Sequence, residues 1–183
     1  IVSASADLSL RVGNEAGGDW TTLAGHTSVP WSVAVTGDGR RAVSGSFDAT
    51  VRVWDLEDRR AGPVLAGHES RIVAVAITPD GRHAVSGSYD TTVRAWDLEQ
   101  GEEIAVCSGH RDKVRAVTIS PDGRRACSVA DDGVVIVWDL ATGRRVAAFN
   151  GDGGPLTSVT WAGDAIVAGS RGGAVEILEL VEG

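Results

Sequence analysis

Gly67-His68, then Ala84-Val85-Ser86-Gly87-Ser88-Tyr89-Asp90, then Trp96-Asp97 form one unit of a recurring pattern. Forty-two residues upstream stand Gly25-His26, Ala42-Val43-Ser44-Gly45-Ser46-Phe47-Asp48 and Trp54-Asp55. The same distance downstream stand Gly109-His110, Ala126-Cys127-Ser128-Val129-Ala130-Asp131-Asp132 and Trp138-Asp139. Three markers in one order, at one period of 42 residues, identify a repeat architecture. A lone Trp-Asp pair would carry no such information.

Two weaker copies flank these three. Val2-Ser3-Ala4-Ser5-Ala6-Asp7 matches Val43 to Asp48, and Gly13-Asn14 stands where Trp-Asp is expected. At the other end Gly151-Asp152 replaces Gly-His and Leu178-Glu179 replaces Trp-Asp, with the unit two residues shorter. The pattern therefore divides residues 1–183 into a half repeat at 1–20, repeats at 21–58, 63–100 and 104–142, and a degenerate repeat at 146–181.

Local sequence favours strands throughout. Thr50-Val51-Arg52-Val53-Trp54 and Val134-Val135-Ile136-Val137-Trp138 are rich in β-branched and aromatic residues. They are near-continuous rather than cleanly alternating, as in sheets covered on both faces. Pro79-Asp80-Gly81, Pro121-Asp122-Gly123 and Gly37-Asp38-Gly39 fit tight hairpins with glycine at positive φ. No stretch of ten or more residues carries a capped helical stripe.

The chain resembles the WD-repeat β-propeller family, whose repeat of about 40–45 residues runs from Gly-His to Trp-Asp. The resemblance covers essentially the whole chain. It implies an all-β fold of four-stranded antiparallel blades. Each unit supplies an outer strand before Gly-His, an inner strand, the Ser-Gly-Ser strand and the Trp-Asp strand. A blade combines the last three with the outer strand of the next unit. Eighteen strands are then expected, in three complete blades. A blade without its inner strand precedes them, and one without its outer strand follows. Such an arc is open. A wheel of about seven blades would need about ten more strands, expected upstream of residue 1. The absence of methionine also marks Ile1 as something other than a translation start.

Composition excludes several partners. With 25 acidic and 17 basic residues the net charge is −8, which disfavours nucleic acid. No apolar run reaches the ~18 residues of a membrane span. Cys107 and Cys127 lack metal or disulfide spacing, and a reducing, cytoplasmic setting is expected. The four histidines do not form a metal set either. Three belong to the repeat on different blades, and His83 takes a surface-type position held by Arg41 and Arg125 in other units. No cofactor is expected.

His, Ser, Asp and Trp recur together. The sets are His26, Ser44, Asp48, Trp54; His68, Ser86, Asp90, Trp96; and His110, Ser128, Asp132, Trp138. A hydrolase triad would use three of these residue types. Catalysis needs one site, not three copies at a fixed period. A buried Trp brings an N–H that needs a partner. Histidine can accept at one nitrogen and donate at the other, with Ser bridging and the turn Asp receiving. The resemblance implies such a structural network. In the degenerate repeat all four positions change together, to Asp152, Ala168, Gly172 and Leu178. That unit is expected to be the least stable. Ser46 and Ser88 are rival serines, but Ala130 at their third position favours Ser44, Ser86 and Ser128.

In this family the face carrying the Gly-His and Ser-Gly-x-x-Asp loops often binds a protein or peptide. Residue by residue, its contact positions map to Val29, Arg71 and Lys113 after the histidine, then Trp31, Val73 and Arg115. Before the turn Asp come Phe47, Tyr89 and Asp131, with Ala6 and Arg171 as the weaker counterparts. Pro155 and Thr157 correspond in the degenerate unit. Three of the aromatic residues fall on this face, and exposed aromatics and Arg are common anchors. They could equally serve to cover the blades. Trp161 aligns with Ile77 and Ile119 and is expected in the core. Asp97, Glu99, Glu102, Glu103, Glu57 and Asp58 crowd the opposite loops and read as a solvated face.

Three functions compete. One is a non-catalytic interaction scaffold or sensor within a larger regulatory or signalling protein. The second is a structural piece that self-associates through open blade edges. The third is an enzyme with a central-channel site, which would need a non-repeating polar cluster that the sequence does not offer.

Overall fold

The computed structural model describes residues 1–13 and 19–179, and they are all-β. Asn14 and the last two residues of the degenerate repeat, Leu180 and Val181, lie outside the described residues. The strands fall into five antiparallel sheets. The first holds β1 (Val2–Ala4), β2 (Ser9–Val12) and β3 (Thr21–Ala24). The second holds β4 (Pro30–Val35), β5 (Arg41–Ser46), β6 (Thr50–Asp55) and β7 (Arg60–Ala66). The third runs from β8 (Ile72–Ile77) through β9 (His83–Ser88) and β10 (Thr92–Asp97) to β11 (Glu102–Ser108). The fourth runs from β12 (Val114–Ile119) through β13 (Arg125–Ala130) and β14 (Val134–Asp139) to β15 (Arg145–Asn150). The fifth holds β16 (Leu156–Ala162), β17 (Ala165–Ser170) and β18 (Val175–Glu179). The three central sheets are thus complete blades, each borrowing its outer strand from the next unit. The first sheet lacks an inner strand and the last lacks an outer one. The sheets do not close into a ring.

The core lies between sheets. Along β6, Val51 and Val53 face forward onto Ile72 and Val75, while Trp54 faces back onto Leu10, Val12 and Leu23. Trp96 and Trp138 likewise join the preceding interface. This alternation explains the nearly continuous apolar strands: both faces are buried. Trp54, Trp96 and Trp138 are almost fully enclosed.

Glycine in the Ser-Gly-Ser strand follows from this packing. A Cβ on Gly45 would stand 2.5 Å from Ile72 Cγ2, and one on Gly87 would stand 2.6 Å from Val114 Cγ1. Val129 occupies the matching position at the fourth interface, against Leu156, Ile166 and Ala168.

The hairpin turns adopt the expected geometry. Gly39, Gly81 and Gly123 have φ of 72°, 70° and 72°. A second left-handed position follows each turn Asp, occupied by Ala49 (φ 66°), Thr91 (φ 72°) and Gly133 (φ 75°).

Trp161 packs half-buried against the fourth interface, as Ile77 and Ile119 do against the second and third. Among the described residues its Nε1 has no partner. His83 is half-buried, like Arg125 at the same repeat position, and lines an open depression with Asp97, Ile104 and Gly123.

Candidate functional site: the loop face of the blades

Each complete blade carries the same buried relay below its loop face. Trp54 Nε1–H donates to Ser44 Oγ at 2.8 Å, and His26 Nε2 lies 2.7 Å from the same oxygen. His26 Nδ1 is 2.8 Å from Asp48 Oδ2. The next blades repeat this: Trp96 to Ser86 at 2.8 Å, Ser86 to His68 at 2.8 Å, His68 to Asp90 at 2.6 Å. In the fourth sheet Trp138 reaches Ser128 at 2.7 Å, His110 reaches Ser128 at 2.8 Å, and Asp132 lies 3.1 Å from His110. One assignment satisfies every group: the histidine donates from Nδ1 to the carboxylate, and the serine hydroxyl donates to Nε2. The tryptophan N–H therefore goes to serine rather than straight to histidine.

The aspartates do more than hold the rings. Asp48 accepts the Thr27 N–H at 2.9 Å and the Thr50 N–H at 3.0 Å, so it staples the Gly-His loop to the following strand. Burial opposes ionisation of Asp48, but the Thr50 hydroxyl, the Thr27 N–H and His26 outweigh it and hold the carboxyl at about 2. Burial lowers His26 and His110 below their ordinary value, despite the aspartate beside each. Ser46 and Ser88 serve elsewhere: each hydroxyl donates to a loop carbonyl, of Ser28 and Ser70.

Could the relay act chemically? Ser44, Ser86 and Ser128 are all 0 % exposed, with the indole N–H already on the oxygen. A nucleophile must reach its substrate, so this arrangement offers structure rather than attack. Cys107 and Cys127 are buried free thiols pushed up to about 12 by that burial. Such thiols are inert. Among the described residues no group of three His, Cys, Asp or Glu side chains could hold a metal. Nor is any helix among the described residues long and apolar enough to cross a membrane.

The degenerate blade lacks the relay. There Glu176 accepts the Asp152 N–H at 3.0 Å, a partial substitute.

Above the relay the loop face is built by a repeated backbone device. The pairing of inner strand and Ser-Gly-Ser strand slips between Pro30 and Ser32, Ile72 and Ala74, Val114 and Ala116, and Leu156 and Ser158. The skipped residues are Trp31, Val73, Arg115 and Thr157. A bulge leaves one residue out of the ladder and re-aims its side chain. The neighbouring positions are tied by backbone bonds: Phe47 N–H to Val29, Tyr89 to Arg71, Asp131 to Lys113 and Arg171 to Pro155.

These residues form a row across three blades. Trp31 stacks on Phe47, with centroids 5.1 Å apart and planes 19° from parallel, and is 61 % exposed. Arg71 lies 4.8 Å above Phe47. Lys113 and Arg115 lie 5.3 and 4.9 Å from the Tyr89 ring. Arg115 also donates to the Tyr89 hydroxyl at 2.6 Å and grips Asp131 with two nitrogens. That pairing keeps Asp131 below the usual carboxylate range. Val29 and Val73 are half-buried beside the row. The sequence signals no such cross-blade contacts, since the partners are 24 or 26 residues apart.

The opposite loops are less purely solvated than their charge suggests. Asp97 accepts the Glu99 and Gln100 N–H groups at 2.8 Å, closing its turn, and Glu103 pairs with Arg94. Asp55 closes its turn in the same way through Glu57 and Asp58.

The family model described as "WD domain, G-beta repeat" matches residues 19–55, 62–97 and 101–139, more than half of the chain. A segment of 40 residues is 52 % identical to part of the NAD(+) hydrolase ApTIR of Actinoplanes sp.. That likeness covers 22 % of this chain and 6 % of the relative, about one repeat in length.

Proposed function

The chain belongs to the WD-repeat family, and we propose that it is a non-catalytic module binding a protein or peptide through the Gly-His loop face. WD repeats are generally protein-interaction scaffolds. One observation carries the reading: Trp31, raised by its bulge, is a large apolar ring left mostly in water on a rigid, stacked support. Rigid aromatic anchors of this kind dominate binding energy at interfaces. The buried serines support a non-catalytic role, because each is locked in one of three closely matching relays. The likeness of one repeat's length to a segment of a much longer protein is consistent with these repeats being part of a larger protein.

The test is capture of the partner by the protein and by Trp31→Ala combined with Tyr89→Ala. The double variant should lose the partner while still unfolding in one cooperative transition. Undiminished capture would refute the assignment of the face.

A second reading, self-association, is supported by Val175 and Ile177, 68 and 70 % exposed on β18. These positions correspond to Val51 and Val53, which are buried between blades. Sedimentation in dilute solution would show a concentration-dependent mass if copies meet there. A strict monomer would eliminate this reading.

A further inference from the structure

Resting on the loop-face reading, we propose that the segment bound there is an acidic peptide, with carboxylates beside an apolar or aromatic side chain. The cations of this face are not equivalent. Arg115 is neutralised, with both its charge and its geometry spent on Asp131 and the Tyr89 hydroxyl. Arg71 and Lys113 are exposed, and among the described residues neither has a carboxylate within ion-pair distance. Each instead lies on an aromatic ring of the preceding blade. A ring face positions a cation without cancelling its charge.

Nearby acids do not fill that role. Asp48, Asp90 and Asp132 are consumed by their histidines and by backbone N–H groups. Glu69 and Asp112 sit in the same loops but form no ion pair with Arg71 or Lys113. A nucleic-acid backbone repeats its charge at every nucleotide and draws on many cations, whereas this face offers two outside ion pairs, a number suited to a few carboxylates. The result is two preset cations one blade apart, at equivalent repeat positions, next to an exposed indole; neither is in an ion pair, although Lys113 also feels the more distant charge of Asp131. Charge-assisted hydrogen bonds to carboxylates are strong for donors so held.

The experiment selects binders of the whole chain from a random-peptide display library. It then compares wild type with Arg71→Gln/Lys113→Gln and with Trp31→Ala. The expected result is enrichment of Asp and Glu flanking an apolar residue. Synthetic copies of those peptides should bind Arg71→Gln/Lys113→Gln at least about tenfold more weakly, and their Asn/Gln versions should lose affinity for wild type equally. Peptides that depend on Trp31 but show no acidic preference would overturn the acidic class and leave the face standing. Absence of any Trp31-dependent peptide would overturn both. A single-stranded oligonucleotide that displaces the peptides in physiological salt would also overturn the proposal, assigning the cations to nucleic acid.

Discussion

The guanidinium of Arg71 lies 4.8 Å above the ring of Phe47, which belongs to the preceding blade. Lys113 holds Tyr89 in the same way, again 24 residues apart. The loops of the third and fourth sheets therefore close over the turn of the sheet before, and the exposed face is stiffened by contacts that also display its cations. A double-mutant cycle of Phe47→Ala and Arg71→Ala, followed by urea unfolding, should give a coupling of about 0.5–1 kcal/mol. Strict additivity would mean that the two groups do not support each other.

Ser128 joins Trp138 and His110 in one buried relay. Ser128→Ala leaves an indole N–H and an imidazole nitrogen without partners, at a cost of about 1–3 kcal/mol. Ser44→Ala and Ser86→Ala should cost similar amounts, because their distances match. A variant that unfolds no more easily than wild type would contradict the structural role of that serine.

Thr91 has φ of 72°, an unfavourable conformation for a β-branched residue, where the next repeat has Gly133 at 75°. Thr91→Gly should relieve this strain and raise stability by about 1 kcal/mol, after the added freedom of the unfolded chain is subtracted. Thermal unfolding checks it, and a lowered midpoint would show that the Thr91 side chain contributes more than its backbone costs.

Acidification should weaken the fold in two stages. Burial lowers His26 and His110 below the ordinary value of 6.5. As pH falls through 6.5 the unfolded chain takes up protons that the folded chain refuses, so stability drops until the folded value is passed. Asp48 is lowered from 3.8 to about 2, so its contribution is present above 3.8 and is lost as pH falls to about 2. Urea midpoints measured downward from about pH 7.5 should therefore decline below pH 6.5. A rising midpoint over that first step would contradict the burial of neutral histidines.

How much of this was legible in the sequence depended on repetition. The period gave the unit, and the family resemblance implied how the strands of neighbouring units share a blade. The choice of Ser44 over Ser46 was also readable, since Ala130 breaks the rival series. The order of the relay was not, because spacing does not say whether an indole reaches serine or imidazole first. The alignment of Trp161 with Ile77 was readable too, since both pack half-buried on the interface behind their blade. The bulges at Trp31 and Arg115 leave no mark in composition or period. They arise from the register between strands, as do the cross-blade ring contacts.

Hydrogen–deuterium exchange of the chain with and without its bound peptide tests the central claim most directly. Protection is predicted in residues 27–31, 47–49, 69–73, 89–91 and 111–115, the loops carrying Trp31, Phe47, Arg71, Tyr89 and Lys113. Protection confined to the opposite turns, residues 37–40, 79–82 and 121–124, would place the partner on the other side of the blades and contradict the account.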